Sequence, residues 1–452
     1  FPNKLLKCLT ELFASPLCAI ISSSIRCGKV PIQWKVARVS PVPKVYSPVN
    51  VECDLRPISI TSSLAKVAES FMCRHFNNYF QPYLDKNQFG CTANRSTILA
   101  LIKFSHYLFT SMDRLDNFGR ILFIDFSKAF DLIDHNILFR KFNELNFPPH
   151  ITVWFLSFLR DRSQFVSVGS TSSECKTINA GAPQGTLSGP NDFKLLINDL
   201  LFKNEFIKYV DDTTVASVSC DPLDDSIQRA ADDLLRWCRE NSMKINPNKT
   251  KEMLLYFGKK FPHSAVPLTK IDGSVIERTD KFKLLGIVFN SSLTWSDHCD
   301  YILSKVSKRI YFISQLVKSG VSNQDVVAIY CSIIRSVLEY CCPIWHPGLT
   351  VQQTSDIERI QKRVLKIVYP TLSYRSALCV TGLETLHTRR EKIVRDVFSE
   401  IKKHGHILNS LLVKRDINVY LRQSGHYEFY VPVFRTLRSR HDFINYCLYK
   451  NY

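Results

Sequence analysis

The chain has 452 residues, 45% of them hydrophobic and 22% charged, an ordinary globular composition that excludes a disordered tail or a fibre and is long enough for two or three cores. Its 59 Lys and Arg against 41 Asp and Glu leave a net charge of +18, which favours a polyanionic partner, nucleic acid first and an anionic membrane second. Residues 301–452 hold 23 basic and 11 acidic side chains, so most of the excess is C-terminal. Fifteen cysteines are scattered singly apart from Cys341 and Cys342, with no Cys-x-x-Cys pair and no signal peptide, and read as reduced thiols of an intracellular protein. The chain opens at Phe1, already inside an apolar-periodic segment, and reads as a fragment.

In chain order, Ser62 to Phe80 is expected to be a helix, with Leu64, Val67, Ala68 and Phe71 at helical spacing. Arg120 to Phe126 is expected to be a strand buried on both faces, because Ile121-Leu122-Phe123-Ile124 is an unbroken apolar run that stops at Asp125. A carboxylate at that place is rigid and partly desolvated, which suits a metal ligand. Taken alone, the N-cap of a helix over Ser127 to Phe139 is the favoured reading. Gly181 to Pro190 packs three glycines and two prolines into ten residues, either a surface loop or a backbone that approaches a ligand closely. Phe206-Ile207-Lys208 and Thr213-Thr214-Val215 read as short strands meeting at Tyr209-Val210-Asp211-Asp212, where the paired carboxylates are compensated by solvent or by a cation. Asp125 and Asp211, both at strand ends, match what two Mg²⁺ about 4 Å apart require, carboxylates from separate strands.

Helices are expected over Ile227 to Asn241 and Cys299 to Val317. Val326 to Trp345 is the most apolar long stretch, but Arg335 and Glu339 make it a poor membrane span and a better buried helix. Cys331, Cys341, Cys342 and His346 lack the paired spacing of a structural zinc site. Ser355 to Val368 is expected to bury Ile357, Ile360, Val364 and Ile367 and to turn Arg359, Lys362, Arg363 and Lys366 outward, to solvent or to a phosphate backbone. Helices interleaved with non-adjacent strands predict an α+β fold.

Three of these segments, Phe123-x-Asp125 through Asp131, Gly181-x-Pro183-Gln184-Gly185 and Tyr209-x-Asp211-Asp212, occur in the order of reverse-transcriptase motifs A, B and C. The chain resembles the polymerase of non-LTR retrotransposons, close to the jockey group. Further matches are Leu55-Arg56-Pro57-Ile58-Ser59, Gln88-Phe89-Gly90, Asn94-Arg95-Ser96-Thr97, Asn246-x-x-Lys249-Thr250-Lys251 and Leu284-Leu285-Gly286-Ile287. Two departures stand out: Val210 where this group commonly has Ala, and Cys91-Thr92-Ala93 where an aromatic and basic residues are usual.

The resemblance implies a right-hand polymerase with a mostly helical C-terminal extension. Residues 1–118 would form an N-terminal extension and fingers, 119–260 the palm, 261–320 motif E and the thumb, and 321–452 a basic helical region. It implies that Asp125 and Asp211 hold two Mg²⁺ ions, which Mn²⁺ can replace, with Asp212 as a lesser ligand. Phe130 would be the steric gate against a ribose 2′-hydroxyl, or else a core residue. Gln184 and Gly185 would lie against the incoming nucleotide. Lys44 and Arg56 would grip its triphosphate, and Lys249 would be the general acid for pyrophosphate, each with an ordinary surface cation as the alternative. Arg95, Arg359, Lys362, Arg363 and Lys366 would contact nucleic acid. The implied partners are an RNA template, a DNA primer or target DNA and dNTPs, with no membrane and with an endonuclease upstream on the full-length chain. Work would be in the nucleus at integration and in the cytoplasm as a ribonucleoprotein. A decayed or co-opted copy that only binds element RNA is the alternative, and Phe130 argues against an RNA-dependent RNA polymerase.

Overall fold

The structure, a computed structural model, describes residues 3–114, 117–258, 266–414 and 428–452. Helix α1 (Ser63–Phe80) forms where the spacing predicts it, capped by the Ser62 hydroxyl, which accepts the N–H of Leu64 at 3.3 Å. Its buried face is Ala65, Ala68, Met72, Phe76 and Phe80, whereas Val67 and Phe71 are exposed. The helix is apolar on both sides, so the spacing that marks it as a helix includes the buried Ala68 along with the exposed Val67 and Phe71. Glu69 lies on the buried side.

The expected strand is β1 (Phe118–Ile124), followed by helix α2 (Gly189–Ile197), strands β2 (Glu205–Tyr209) and β3 (Asp212–Ser219), helix α3 (Ser226–Glu240) and strand β4 (Lys251–Tyr256). These strands and the short strand Glu277–Arg278 make one sheet in the order Glu277–Arg278, β4, β1, β3, β2. β1 is antiparallel to both neighbours. Its alternation decides the core. Ile121 and Phe123 pack into one cluster with Met253, Leu255 and the C-terminal helices, while Leu122 and Ile124 pack into another with Phe193, Val215 and Leu234. Both faces are therefore covered, as an uninterrupted apolar run requires. Arg120 in the same strand is also buried and is neutralised by Glu252, 2.7 Å away on β4.

A second sheet pairs Val36–Pro43 with Leu55–Ile60 in antiparallel fashion and with Arg162–Val168 in parallel fashion. Strands and helices are mixed without regular alternation, and the fold is α+β.

Two expected helices differ. Residues 127–132 are turns, with Lys128 at φ +47°, and the helix starts only at His135 under an Asp134 cap. Val326 to Trp345 is broken: a helix from Asn323 passes through a π turn at Cys331–Arg335 to Glu339, then bends by 42° before Cys342. Cys341 at φ +50° makes the bend, and Pro343 explains it, since its ring would clash with the Glu339 carbonyl of a continued helix. Among the described residues no single helix is long and apolar enough to cross a membrane. The basic C-terminal helix α4 (Val351–Val368) begins four residues earlier than expected, at a capping box of Thr350 and Gln353.

Candidate active site

Ile124 pairs with Thr213, the last pair between β1 and β3, and Tyr209 pairs with Asp212 across the β2–β3 hairpin. Asp125, Asp211 and Asp212 therefore leave the sheet at one end, on adjacent strands. Asp125 is no helix cap, because the cap is Asp134, whose Oδ1 accepts the N–H groups of Asn136 at 2.7 Å and Ile137 at 3.3 Å. Instead its backbone is pinned to the segment before β4. Its N–H donates to the Thr250 hydroxyl at 3.2 Å, and its carbonyl accepts the Asn246 N–H at 2.8 Å.

The electrostatics are those of anions awaiting a cation. Desolvation raises Asp125 above the ordinary carboxylate range and Asp211 raises it further, against Lys249 and Lys44. Asp211 is raised by desolvation and relieved by backbone N–H groups and by Arg56. Asp212 is pushed up to about 6, by desolvation first and then by Asp211 and Asp125, although it is exposed and water screens part of that push. The three carboxylates offer the hard oxygen chemistry that a divalent ion takes, although their oxygens do not all lie within 4.8 Å of one another. The exposed Lys44, Arg56 and Lys249 all act on these carboxylates, which puts the expected phosphate-gripping cations beside the expected metal ligands.

The Gly181–Pro190 loop is tied to both neighbouring segments. The Phe130 carbonyl accepts the Ala182 N–H at 2.8 Å, and the Gln184 carbonyl accepts the Ser59 N–H at 2.7 Å. The Gln184 side chain donates to Asp131 at 3.2 Å. Gly185 sits at φ +106°, where a side chain would be strained and its Cβ would come within 3.1 Å of the Ser59 carbonyl. Phe130 is half-buried, its ring 5.3 Å from that of Phe193 on α2, so it is anchored without being sealed in the core.

Arg95, expected to contact nucleic acid, has its Nη1 engaged within the chain, where it donates to the carbonyls of Asp85, Lys86 and Gln88 in the loop before Gly90. The cysteines near His346 gather no metal set. Among the described residues the grouping with ligand geometry is His346, His387 and Glu391. There Arg390 Nε donates to His346 Nδ1 at 3.3 Å, so Nε2 carries the proton given to Glu391 at 2.8 Å. That trio is closed by its own hydrogen bonds and by an adjacent guanidinium, a poor place for a further cation. The α4 cations are exposed as expected, with Arg359 paired to Asp356, Lys362 over the Tyr374 ring and Lys366 bonded to the Pro370 carbonyl.

Sequence reasoning missed Glu69 and left Gln88 without a role. A lone acid on the buried stripe of α1 was the available signal for Glu69.

A family model described as reverse transcriptase (RNA-dependent DNA polymerase) matches residues 48–289. Similar curated proteins include the probable RNA-directed DNA polymerase from transposon BS of Drosophila melanogaster, 26% identical over 90% of this chain and 46% of that protein. Another is the RNA-directed DNA polymerase from mobile element jockey of the same species, 26% identical over 75% of this chain and 38% of its own. The chain thus spans less than half the length of these relatives. Among solved structures, apo telomerase from Candida tropicalis is similar over 88% of this chain and 68% of its own, at 11% identity and a TM-score of 0.43. The family match covers more than half of the chain and includes all three aspartates and the Gly181–Pro190 loop, so the chain belongs to the reverse transcriptase (RNA-dependent DNA polymerase) family.

Proposed function

We propose that the chain is the polymerase part of a non-LTR retrotransposon protein and copies element RNA into DNA. The observation that carries this reading is the convergence of Asp125, Asp211 and Asp212 at one end of the central sheet, with the pinned Gly181–Pro190 loop tied to the adjoining Phe130 segment. Asp125 and Asp211 would hold two Mg²⁺ ions, or Mn²⁺ in their place. Bound there, the ions would lower the charge cost of attack by a primer 3′-hydroxyl on the dNTP α-phosphate and of pyrophosphate departure.

The chain's own residues supply the rest. Lys44 and Arg56 offset charge on the β and γ phosphates, and Lys249 delivers a proton to the leaving pyrophosphate. Gln184 and Gly185 offer a fixed backbone to base and sugar, and the Phe130 ring denies room to a 2′-hydroxyl. The partners in this reading are an RNA template, a primer or nicked target DNA and dNTPs, with an endonuclease elsewhere on the full-length chain. Synthesis would be nuclear at integration, after assembly with RNA in the cytoplasm.

The test is primer extension on poly(rA)/oligo(dT) by the purified chain with Mg²⁺. Extension that chelation abolishes supports the reading. A folded chain that binds the duplex and never extends it, in Mg²⁺ or Mn²⁺, would leave the binding-only alternative.

A further inference from the structure

Val210 is the first of the two residues between Tyr209 and Asp212, and its φ is +60°. Asp211, the second, lies outside the left-handed region. A two-residue hairpin loop with positive φ at its first residue alone has the type II′ pattern, whose first position ordinarily takes glycine. Valine is the opposite choice, because a β-branched residue stays left-handed only where its surroundings hold it there.

Gln88 is the group that holds it. Its buried Oε1 accepts the N–H of Val210 at 2.9 Å and that of Gly90 at 2.9 Å, and its Nε2 faces the Val210 carbonyl at 3.5 Å. Two donors on one oxygen fix the amide's orientation, since the flipped amide would set N–H against N–H. The backbone on either side is pinned to β2: the Phe89 N–H donates to the Lys208 carbonyl and the Lys208 N–H to the Asn87 carbonyl, each at 2.8 Å. Gly90 permits the approach, because a Cβ there would lie 2.5 Å from the Val210 nitrogen.

We propose that Gln88 is a positioning residue: it clamps the strained Val210 peptide and so sets the direction of the next carboxylate, Asp211. The consequence for metal binding rests on the polymerase reading; the clamp itself does not.

The test compares the parent with Gln88→Met, which keeps the volume and loses the acceptor, and with Gln88→Asn, which keeps the amide but falls one methylene short. Hydrogen exchange of residues 207–213 is measured on the free chain, and Mn²⁺ binding to the chain on primer–template is measured by electron paramagnetic resonance. Both variants should exchange the turn about tenfold faster and bind Mn²⁺ about tenfold more weakly, with exchange in β1 and β4 unchanged. In a Val210→Gly background the Gln88 change should matter roughly a third as much, because glycine holds a left-handed φ unaided. Unchanged exchange at the turn, acceleration spread evenly over β1 and β4, or equal losses in both backgrounds would each overturn the clamp. A parent that neither binds Mn²⁺ nor adds nucleotides defeats the polymerase reading instead, and the exchange measurements still decide Gln88.

Discussion

The carboxylate of Glu69, buried in α1, accepts the backbone N–H of Leu187 at 2.7 Å and of Ser188 at 3.2 Å, two and three residues beyond Gly185. It holds the Gly181–Pro190 loop from within a buried group that also contains Arg162 and Asp192. Glu69→Ala leaves two N–H groups without their acceptor and Arg162 with Asp192 as its remaining acidic neighbour, at a cost of about 2–4 kcal/mol in stability. We expect the KM for dNTP to rise roughly tenfold through the loosened loop while primer–template affinity is unchanged. Glu69→Gln, which keeps an acceptor, should restore most of the KM. Equal KM values in parent and Ala variant would confine Glu69 to stability.

Asp125→Asn and Asp211→Asn should each abolish extension, since each removes a charge that a divalent ion needs, whereas Asp212→Asn should retain residual activity. Template affinity should survive all three, because phosphate contacts supply most of it. A near-normal rate in either of the first two removes the metal-ligand assignment.

Phe130→Val should admit ribonucleotides, because the half-buried ring rests on Phe193 and its loss opens the space it would deny to a 2′-hydroxyl. The ratio of rGTP to dGTP incorporation measures this. An unchanged ratio would make Phe130 a packing residue.

Neutralising Arg359, Lys362, Arg363 and Lys366 together should shorten processive runs and lower the slope of log affinity against log salt by up to about 3, at roughly 0.7–0.9 per phosphate contact. Single-nucleotide addition on saturating primer should hardly change. Equal slopes by fluorescence anisotropy would show that α4 serves only the fold.

His298 is buried, and its pKa is lowered from 6.5 to about 4, by desolvation and then by Lys283. Its imidazole stays neutral in the folded chain while the unfolded chain takes up a proton below 6.5, so stability falls as pH drops from 6.5 towards 4. The loss reaches about 3 kcal/mol at the lower end. His298→Gln should flatten that limb of the unfolding free energy against pH. An identical acid limb in the variant would assign it to other groups.

The three aspartates, Gln184 and the basic face of α4 were legible in the sequence, because each signal is local. A buried apolar run that ends on a carboxylate, a doublet at a tight turn and a period of 3.6 all reside within a dozen residues. What holds these groups in place was not legible. Gln88 meets Val210 across 122 residues and Glu69 meets Leu187 across 118. The sequence marks Arg95 as a cation, and only the fold brings its Nη1 to the carbonyls of Asp85, Lys86 and Gln88. The buried stripe of α1 was likewise settled by what packs against it, whereas the break at Cys341 has a local cause in Pro343. A sequence determines which residues have the chemistry to bind a cation or face a core; only tertiary packing decides which buried polar group meets which backbone, because that partner is chosen by the fold and not by spacing along the chain.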